Sequence, residues 1–109
     1  MKLAIIGSRN LHVDDLSKYI YAGADEIVSG GARGIDRDAE TYAKANNIKI
    51  TVFLPEYEKY GRGAPIVRNK QIVDYADEIL AFWDGSSKGT KSVIDYCKKQ
   101  GKKVNVIIM

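Results

Sequence analysis

Short apolar, β-branched segments alternate along this chain with segments of helical periodicity, and this alternation constrains the fold more than any other feature. The strand-like segments span residues 2–6, 26–29, 48–54, 78–83 and 104–108. Continuous apolar runs of this length are typical of strands that are buried on both faces of a parallel sheet. Because parallel neighbours need long, right-handed connections, the pattern predicts one three-layer α/β/α domain of Rossmann type, with about five mostly parallel strands.

Four connections are expected to be helical crossovers. Apolar positions from Asp14 to about Tyr21 recur at helical spacing, which predicts a first helix. A third helix is predicted to end near Tyr75, and Gly101 is predicted to close the last one. The inner faces of the second and last helices are predicted to carry Ile35, Ala39, Tyr42 and Ala43, and Thr90, Val93, Ile94 and Cys97, respectively. Residues 55–65 hold two prolines, two glycines and two tyrosines, which favours a long loop.

Size, charge and residue usage exclude several classes. The chain has 109 residues, which suits one domain, residues 1–109, and leaves no room for a second. With one cysteine and one histidine, Cys97 and His12, neither an internal disulfide nor a structural zinc site is expected. The net charge of +3 is smaller than that of a dedicated DNA-binding surface. No apolar run reaches membrane-span length, so we expect a cytoplasmic chain without membrane partner, metal or cofactor.

The most informative stretch follows the second strand. It consists of Ser29, Gly30, Gly31, Ala32, Arg33, Gly34, Ile35 and Asp36. Glycines let backbone amides approach an anion, the next helix points its positive N-terminal end at the same place, and Arg33 adds a charge. The spacing fits neither the dinucleotide-binding G-x-G-x-x-G pattern nor a Walker A loop. It predicts a phosphate-binding loop, with an ordinary glycine turn capped by Asp36 as the alternative.

A second loop of similar composition lies between the fourth strand and the last helix. It consists of Asp84, Gly85, Ser86, Ser87, Lys88, Gly89 and Thr90. Because the carboxyl ends of parallel strands meet at one edge of a sheet, the two loops are expected to form one pocket. The alternative is a plain turn in which Ser87 caps the helix.

Other residues are expected at the same edge. Gly7, Ser8 and Arg9 follow the first strand, and Arg68 and Asn69 open the third helix, where they can reach a phosphate or a sugar.

Tyr57, Tyr60 and Arg62 could stack on a base, or the tyrosines could simply pack down. Asp36 and Asp84 are the pocket carboxylates that could act as acid or base, with helix capping or a ribose contact as the alternative. Neither a Ser–His nor a Cys–His pair is available.

Taken together, these motifs resemble the SLOG superfamily, and especially its small YspA-like branch. The resemblance runs along the whole chain. It is carried by residues 7–9, 29–36 and 82–90, with Arg68-Asn69 and Ala76-Asp77. It implies a Rossmann-like domain that binds nucleotides or nucleotide-derived ligands.

Two branches of that superfamily are relevant. The DNA-processing family, which protects single-stranded DNA, has a Ser-Gly-x-Ala-x-Gly-Ile-Asp pattern like residues 29–36. The LOG-type phosphoribohydrolases, formerly labelled lysine decarboxylases, have a Pro-Gly-Gly-x-Gly-Thr-x-x-Glu motif. Aligned on Gly89-Thr90, this chain has Val93 where that motif has its catalytic glutamate, so the resemblance implies the pocket without that chemistry.

The leading expectation is a domain that binds or senses a nucleotide-like ligand and is not an enzyme. The backbone of residues 29–34 and 85–90 would hold its phosphate, and Arg9, Arg33 and Arg68 would supply charge. One alternative is a nucleotide N-glycosidase or hydrolase that uses Asp36 or Asp84.

Another alternative is a single-stranded DNA-binding protein. The basic end formed by Lys98, Lys99, Lys102 and Lys103 would then take part, although such lysines also complement a helix dipole. A homodimer is a further expectation, because related branches often form dimers.

Overall fold

A computed structural model describes residues 1–20 and 23–109. Its five strands are β1 (Lys2–Gly7), β2 (Glu26–Ser29), β3 (Lys49–Val52), β4 (Glu78–Trp83) and β5 (Lys103–Ile108). They form one sheet in the order β3-β2-β1-β4-β5, and every neighbouring pair is parallel. From β1 the chain adds β2 and β3 on one side of the sheet. It then crosses back to add β4 and β5 on the other side of β1. This reversal creates a topological switch point between the carboxyl ends of β1 and β4.

Helices cover both faces of the sheet. They are α1 (Ile35–Ala45), the single turn α2 (Tyr57–Tyr60), α3 (Ala64–Tyr75) and α4 (Lys88–Gln100). One core cluster packs α1 against one face, and a second cluster packs α3 and α4 against the other. The predicted Rossmann-like three-layer α/β/α architecture with five parallel strands is confirmed.

Strand β1 shows how the sequence produces two cores. Leu3 and Ile5 belong to the cluster under α1, whereas Ala4 and Ile6 belong to the cluster under α3 and α4. All four side chains are at most 5% exposed. Successive side chains in a strand point to opposite faces, so a continuous apolar run is what a doubly covered central strand needs.

The last helix follows the sequence prediction closely. Its buried residues are Thr90, Val93, Ile94 and Cys97. The Ser87 side chain caps its first turn by accepting a hydrogen bond from the amide of Thr90 over 3.4 Å. Gly101 ends it with a φ of 69°, a left-handed conformation that glycine adopts at little cost.

The predicted first helix, from Asp14 to about Tyr21, is wrong in extent. The described part contains only a 3-10 turn, Leu16–Lys18, and Tyr21 lies outside the described residues. Asp15 starts this turn by accepting a hydrogen bond from the amide of Ser17 over 3.1 Å. Tyr19 then packs edge-on against Phe82, with ring centroids 5.1 Å apart. These apolar residues are spaced as in a helix, but they pack onto the sheet from a 3-10 turn and the irregular segment beside it.

The predicted long loop at residues 55–65 is also wrong. Helical turns occupy Tyr57–Tyr60 and Gly61–Gly63, and α3 begins at Ala64. Proline lacks an amide hydrogen, which the first turn of a helix does not need, so Pro65 is accommodated in the first turn of α3. Arg68 and Asn69 consequently lie in the second turn of α3 and do not open it.

None of the helices in the described part of the chain has the length and apolar character needed to cross a membrane. The longest, α4, has 13 residues and a polar outer face. The inner face of α4 packs into the core cluster against β4 and β5.

Candidate functional site

Three helices point their N-terminal ends at the switch point between β1 and β4. The first turns of α1 and α4 and the first two turns of α3 border one cleft of about 460 Å³, the main cleft. Its walls include Gly7, Ser8, Arg9, Asn10, Ala32, Asp36, Pro65, Arg68, Asn69, Ser87, Gly89, Thr90 and Val93. Helix N-termini carry partial positive charge and amides without intrahelical acceptors, so their convergence favours an anion.

Ser29 secures the glycine loop from inside the protein. Its hydroxyl donates to the backbone oxygen of Asp36 over 3.2 Å and accepts from the amide of Gly31 over 3.2 Å. Ser29 is completely buried and borders neither the main cleft nor its neighbour described below. The structure therefore assigns the Ser29 hydroxyl to support of the loop.

Gly34 allows the loop after β1 to lie against the start of α1. Its φ is 76°, and a Cβ atom there would lie 2.6 Å from the backbone oxygen of Arg9 and 2.9 Å from that of Leu11. Both the backbone conformation and the close approach require glycine. Gly34 thus fixes the position of Arg9 without bordering the cleft.

Arg68 brings a buried positive charge to the cleft. Its side chain is 7% exposed, and its guanidinium donates to the backbone oxygen of Gly30 over 2.5 Å and to Oδ1 of Asn69 over 2.8 Å. Burial lowers the pKa of Arg68, but a guanidinium remains charged at neutral pH. It forms no ion pair with any described carboxylate. Two of its five N–H groups donate to described protein atoms, and Arg68 borders the main cleft, where its other donors can serve a ligand.

Asp36 brings a buried carboxyl group to the same cleft. It is 6% exposed, and its Oδ2 accepts a hydrogen bond from the amide of Ala32 over 3.2 Å. Burial raises the pKa of Asp36, while the Ala32 amide and the positive charges of Arg68 and Arg9 act in the opposite direction. The predicted cap at Asp36 is thus a contact to the preceding loop, and Gly34 occupies the N-cap position of α1.

Asp84 organises the second loop. Its Oδ1 accepts hydrogen bonds from the amides of Ser86 and Ser87 over 2.9 and 2.8 Å, and from the hydroxyl of Ser86 over 3.3 Å. The two amide hydrogen bonds lower the pKa of Asp84. Neither Asp84 nor Gly85 nor Ser86 borders the main cleft, and the hydrogen bonds of this carboxylate hold the turn that leads into α4.

The first turn of α4 presents free amides. Ser87 satisfies the amides of Thr90 and Lys91 through its side-chain and backbone oxygens, over 3.4 and 3.1 Å. Within the described residues, the amides of Lys88 and Gly89 have no hydrogen-bond acceptor.

The Ser8 hydroxyl ties this turn to β1. It lies 3.4 Å from the Thr90 hydroxyl and accepts from the Asp84 amide over 3.3 Å. Phosphate oxygens would find two amides and a helix N-terminus here.

A second compartment adjoins the main cleft. This side cleft has a volume of about 290 Å³ and shares Arg9, Ala32 and Arg68 with the main cleft. Its remaining walls are Gly30, Gly31, Arg33, Leu54 and Pro55. Arg9 and Arg33 are exposed and have no hydrogen-bond or ion-pair partner among the described residues. Both guanidinium groups are therefore available to a ligand that spans the two compartments.

The structure divides the predicted site residues into two groups. Those that border one of the two clefts are Gly7, Ser8, Arg9, Gly30, Gly31, Arg33, Asp36, Arg68, Asn69, Ser87, Gly89 and Thr90. Those that shape the loops from outside the clefts are Ser29, Gly34, Asp84, Gly85 and Ser86. Asn10, Pro65, Leu54 and Pro55 were missed, although each is adjacent in sequence to a predicted segment boundary.

Val93 borders the main cleft at the position that the LOG-type motif gives to glutamate. Its side chain is 3% exposed and belongs to the core under α4. An aliphatic group supplies neither an acid nor a base. Tyr57, Tyr60 and Arg62 border neither cleft, so the suggested stacking residues lie outside both compartments in this structure.

The basic end lies far from the cleft. Lys98 and Lys99 are in the last turn of α4, at the opposite edge of the sheet from its N-terminus. Lys102 donates to the backbone oxygen of Ala76 over 2.6 Å, and Lys103 pairs with Glu78 at 3.4 Å. The contacts of Lys102 and Lys103 thus stabilise the end of the domain that lies opposite the cleft.

No group of three or more potential metal ligands occurs among the described residues.

Comparisons with protein-family models, curated proteins and solved structures find no match to this chain. Its fold is therefore assigned from strand order and packing, and its site from hydrogen bonds, burial and charge. The likeness to the SLOG superfamily rests on the motifs alone.

Proposed function

We propose that this chain binds a nucleotide or a nucleotide-derived phosphate ligand in the main cleft, as a binding or sensing domain. The observation that carries the proposal is the buried guanidinium of Arg68, which has no carboxylate partner among the described residues. Burying a guanidinium that lacks a direct ion-pair partner is costly, and the nearby Asp36 carboxyl offsets this cost only from beyond ion-pair distance. A bound anion would supply a direct counter-charge.

The surroundings of Arg68 favour a phosphate. The N-terminal ends of three helices, the free amide of Gly89 and the exposed guanidinium of Arg9 converge on the same space. Phosphate accepts several hydrogen bonds at once and suits both amides and a guanidinium fork. The main cleft volume of about 460 Å³ lies within the range of small-molecule sites, about 300–1,000 Å³.

Binding without turnover is favoured by the side chains in the cleft. Asp36 is the one carboxyl group that borders it, Val93 replaces the LOG-type glutamate, and Asp84 is engaged in a turn. His12 and Cys97 border neither cleft, so no Ser–His or Cys–His pair occurs at the clefts among the described residues. Membership of the SLOG superfamily is part of the proposal, supported by the place of its glycine motifs at this cleft.

A thermal-shift screen of the purified protein tests the proposal. The probes are mononucleotides, dinucleotides, ADP-ribose and linear or cyclic oligonucleotides. A ligand at about 100 times its Kd should stabilise the fold by about 2.7 kcal/mol, which raises Tm by roughly 10–20 °C.

Arg9→Ala and Arg33→Ala should reduce the shift, because each guanidinium contact to a phosphate contributes about 1.5–3 kcal/mol. Arg62→Ala is the matched control, since Arg62 is exposed and borders neither cleft. No stabilisation by any phosphate-bearing probe would overturn the proposal, as would equal losses in all three variants.

A further inference from the structure

Asp36 is a buried carboxylate in a cleft that is otherwise built for an anion. Its Oδ2 is occupied by the amide of Ala32, and its Oδ1 has no partner among the described residues. Every completely enclosed side-chain oxygen among those residues has a hydrogen-bond partner, so Oδ1 must be open to the main cleft. One unpaired acceptor, on a residue that is 94% buried, is thus directed at the ligand space.

The charge of Asp36 determines where a phosphate can lie. A carboxylate repels a phosphate at contact distance, so the phosphate belongs on the α4 side of the cleft, with the free amide of Gly89. The group beside Asp36 must instead donate a hydrogen bond. A cation is disfavoured there, because Arg9 and Arg68 border the same cleft and would repel it. A neutral hydroxyl donor fits both conditions.

The sugar is the part of a nucleotide that carries such hydroxyls next to the phosphate, whatever the base. We propose that Oδ1 of Asp36 accepts a hydrogen bond from the ribose diol, so that the cleft selects ribonucleotides over nucleotides that lack one of the two hydroxyls. This inference rests on the proposed function, since it assumes that a nucleotide-like phosphate occupies the cleft. It goes further by naming the sugar as the feature that is selected.

The test compares ligands that differ by one hydroxyl. Affinities are measured by calorimetric titration for the four ribonucleoside 5′-monophosphates and their 2′-deoxy and 3′-deoxy counterparts. Ribose 5-phosphate and 2-deoxyribose 5-phosphate are added as probes without a base. A hydrogen bond to a carboxylate should make the ribose form bind about tenfold or more tightly than at least one deoxy form.

Two isosteric variants identify the residue responsible. Asp36→Asn should bring the ribose-to-deoxyribose ratio to within about threefold of unity, because the carboxylate is gone while an acceptor for the Ala32 amide remains. Asp38→Asn is the control. It makes the same change on α1 at a residue that bonds to the Val13 amide and His12 outside the cleft, and it should leave the ratio unchanged.

The outcomes separate the two proposals. Ribose preference that disappears in Asp36→Asn and persists in Asp38→Asn supports the inference. Equal binding of ribose and both deoxy forms by the wild-type protein overturns the inference and leaves the proposed function standing. Binding of none of these phosphates overturns the inference, and it overturns the proposed function as well when the dinucleotides, ADP-ribose and oligonucleotides of the thermal-shift screen also fail to bind. Ribose preference that survives in Asp36→Asn assigns the selection to another residue and also overturns the inference.

Discussion

The guanidinium of Arg68 donates to the backbone oxygen of Gly30 over 2.5 Å and joins α3 to the glycine loop that follows β2. The two residues are 38 positions apart, and their hydrogen bond is buried. A Cβ atom on Gly30 would lie 2.8 Å from Nη1 of Arg68 and 2.9 Å from Oδ2 of Asp36. The absence of a side chain at Gly30 therefore allows Arg68 and Asp36 to pack against the glycine loop.

Replacing Arg68 by lysine should weaken both the fold and ligand binding. An ammonium keeps the charge but cannot serve the Gly30 oxygen, Asn69 and a ligand with the planar fork of a guanidinium. An unsatisfied buried acceptor costs about 1–3 kcal/mol, so Arg68→Lys should lower the free energy of unfolding by that amount in urea denaturation. Arg62→Lys, at an exposed position, should stay within about 0.5 kcal/mol of wild type. Equal stability of the two variants would contradict a structural role for the buried guanidinium.

Asp36→Asn should make the protein more stable at neutral pH while it impairs ribose selection. Burial raises the pKa of Asp36 above the 3.8 of a free carboxyl, so the native state holds more protons than the unfolded state between the two pKa values. Stability due to this group therefore falls as pH rises through that window. Thermal unfolding from pH 4 to pH 7 should show the Tm advantage of Asp36→Asn growing with pH. An advantage that shrinks with rising pH would show that ionisation of Asp36 is stabilising.

Gly34→Ala should destabilise the fold, in contrast to Gly89→Ala. At Gly34 a side chain meets a positive φ of 76° and the Arg9 backbone oxygen at 2.6 Å, so a loss of about 2 kcal/mol or more is expected. At Gly89, within α4, a Cβ atom meets nothing within 4 Å, and alanine should be neutral or stabilising by up to about 1 kcal/mol. Chemical denaturation of both variants checks this contrast. A Gly34→Ala protein as stable as wild type would contradict this prediction, because the loop after β1 would then have moved to admit the side chain at little cost in free energy.

The sequence was sufficient for features that depend on repeated local patterns. The apolar run of residues 78–83 and the row from Thr90 to Cys97 predicted β4 and the inner face of α4, because doubly covered strands and amphipathic helices leave characteristic spacings. The glycine loops were placed at the correct sheet edge for the same reason.

What could not be predicted depends on contacts distant in sequence. The roles of Ser29 and Asp84 in holding turns, and the burial of Arg68, are decided by which backbone groups fold against them. A serine, an aspartate or an arginine beside a glycine is compatible with either a ligand contact or a loop contact. Residues 55–65 were misassigned because proline and glycine are as compatible with the first turn of a helix as with a loop.

Cys97 should be inert in the folded protein. Its side chain is completely buried, and burial raises the pKa of the thiol to about 11. At pH 8 only about a thousandth of such a thiol is the reactive thiolate. A disulfide-exchange reagent should modify Cys97 at least about a hundredfold more slowly in buffer than in denaturant. Comparable rates would mean that α4 separates from the sheet readily in the native state.

Removing the charges of Lys98 and Lys99 should leave binding of a small phosphate ligand unchanged. Along α4, these exposed lysines lie about 14–15 Å from Gly89 at the cleft, well beyond the Debye length of about 8 Å at physiological ionic strength. The double variant Lys98→Gln/Lys99→Gln should keep nucleotide affinity within about twofold of wild type, whereas Arg9→Ala should not.

The same double variant decides whether single-stranded DNA is the true ligand. If these two lysines contact phosphates, the slope of log affinity for an oligonucleotide against log salt should become shallower by about 1.4. Such a change, together with no effect of Arg9→Ala, would move the binding surface from the cleft at the strand ends to the far end of α4. An unchanged salt slope, with affinity lost in Arg9→Ala, would keep the binding surface at the cleft that Arg9 and Arg68 border.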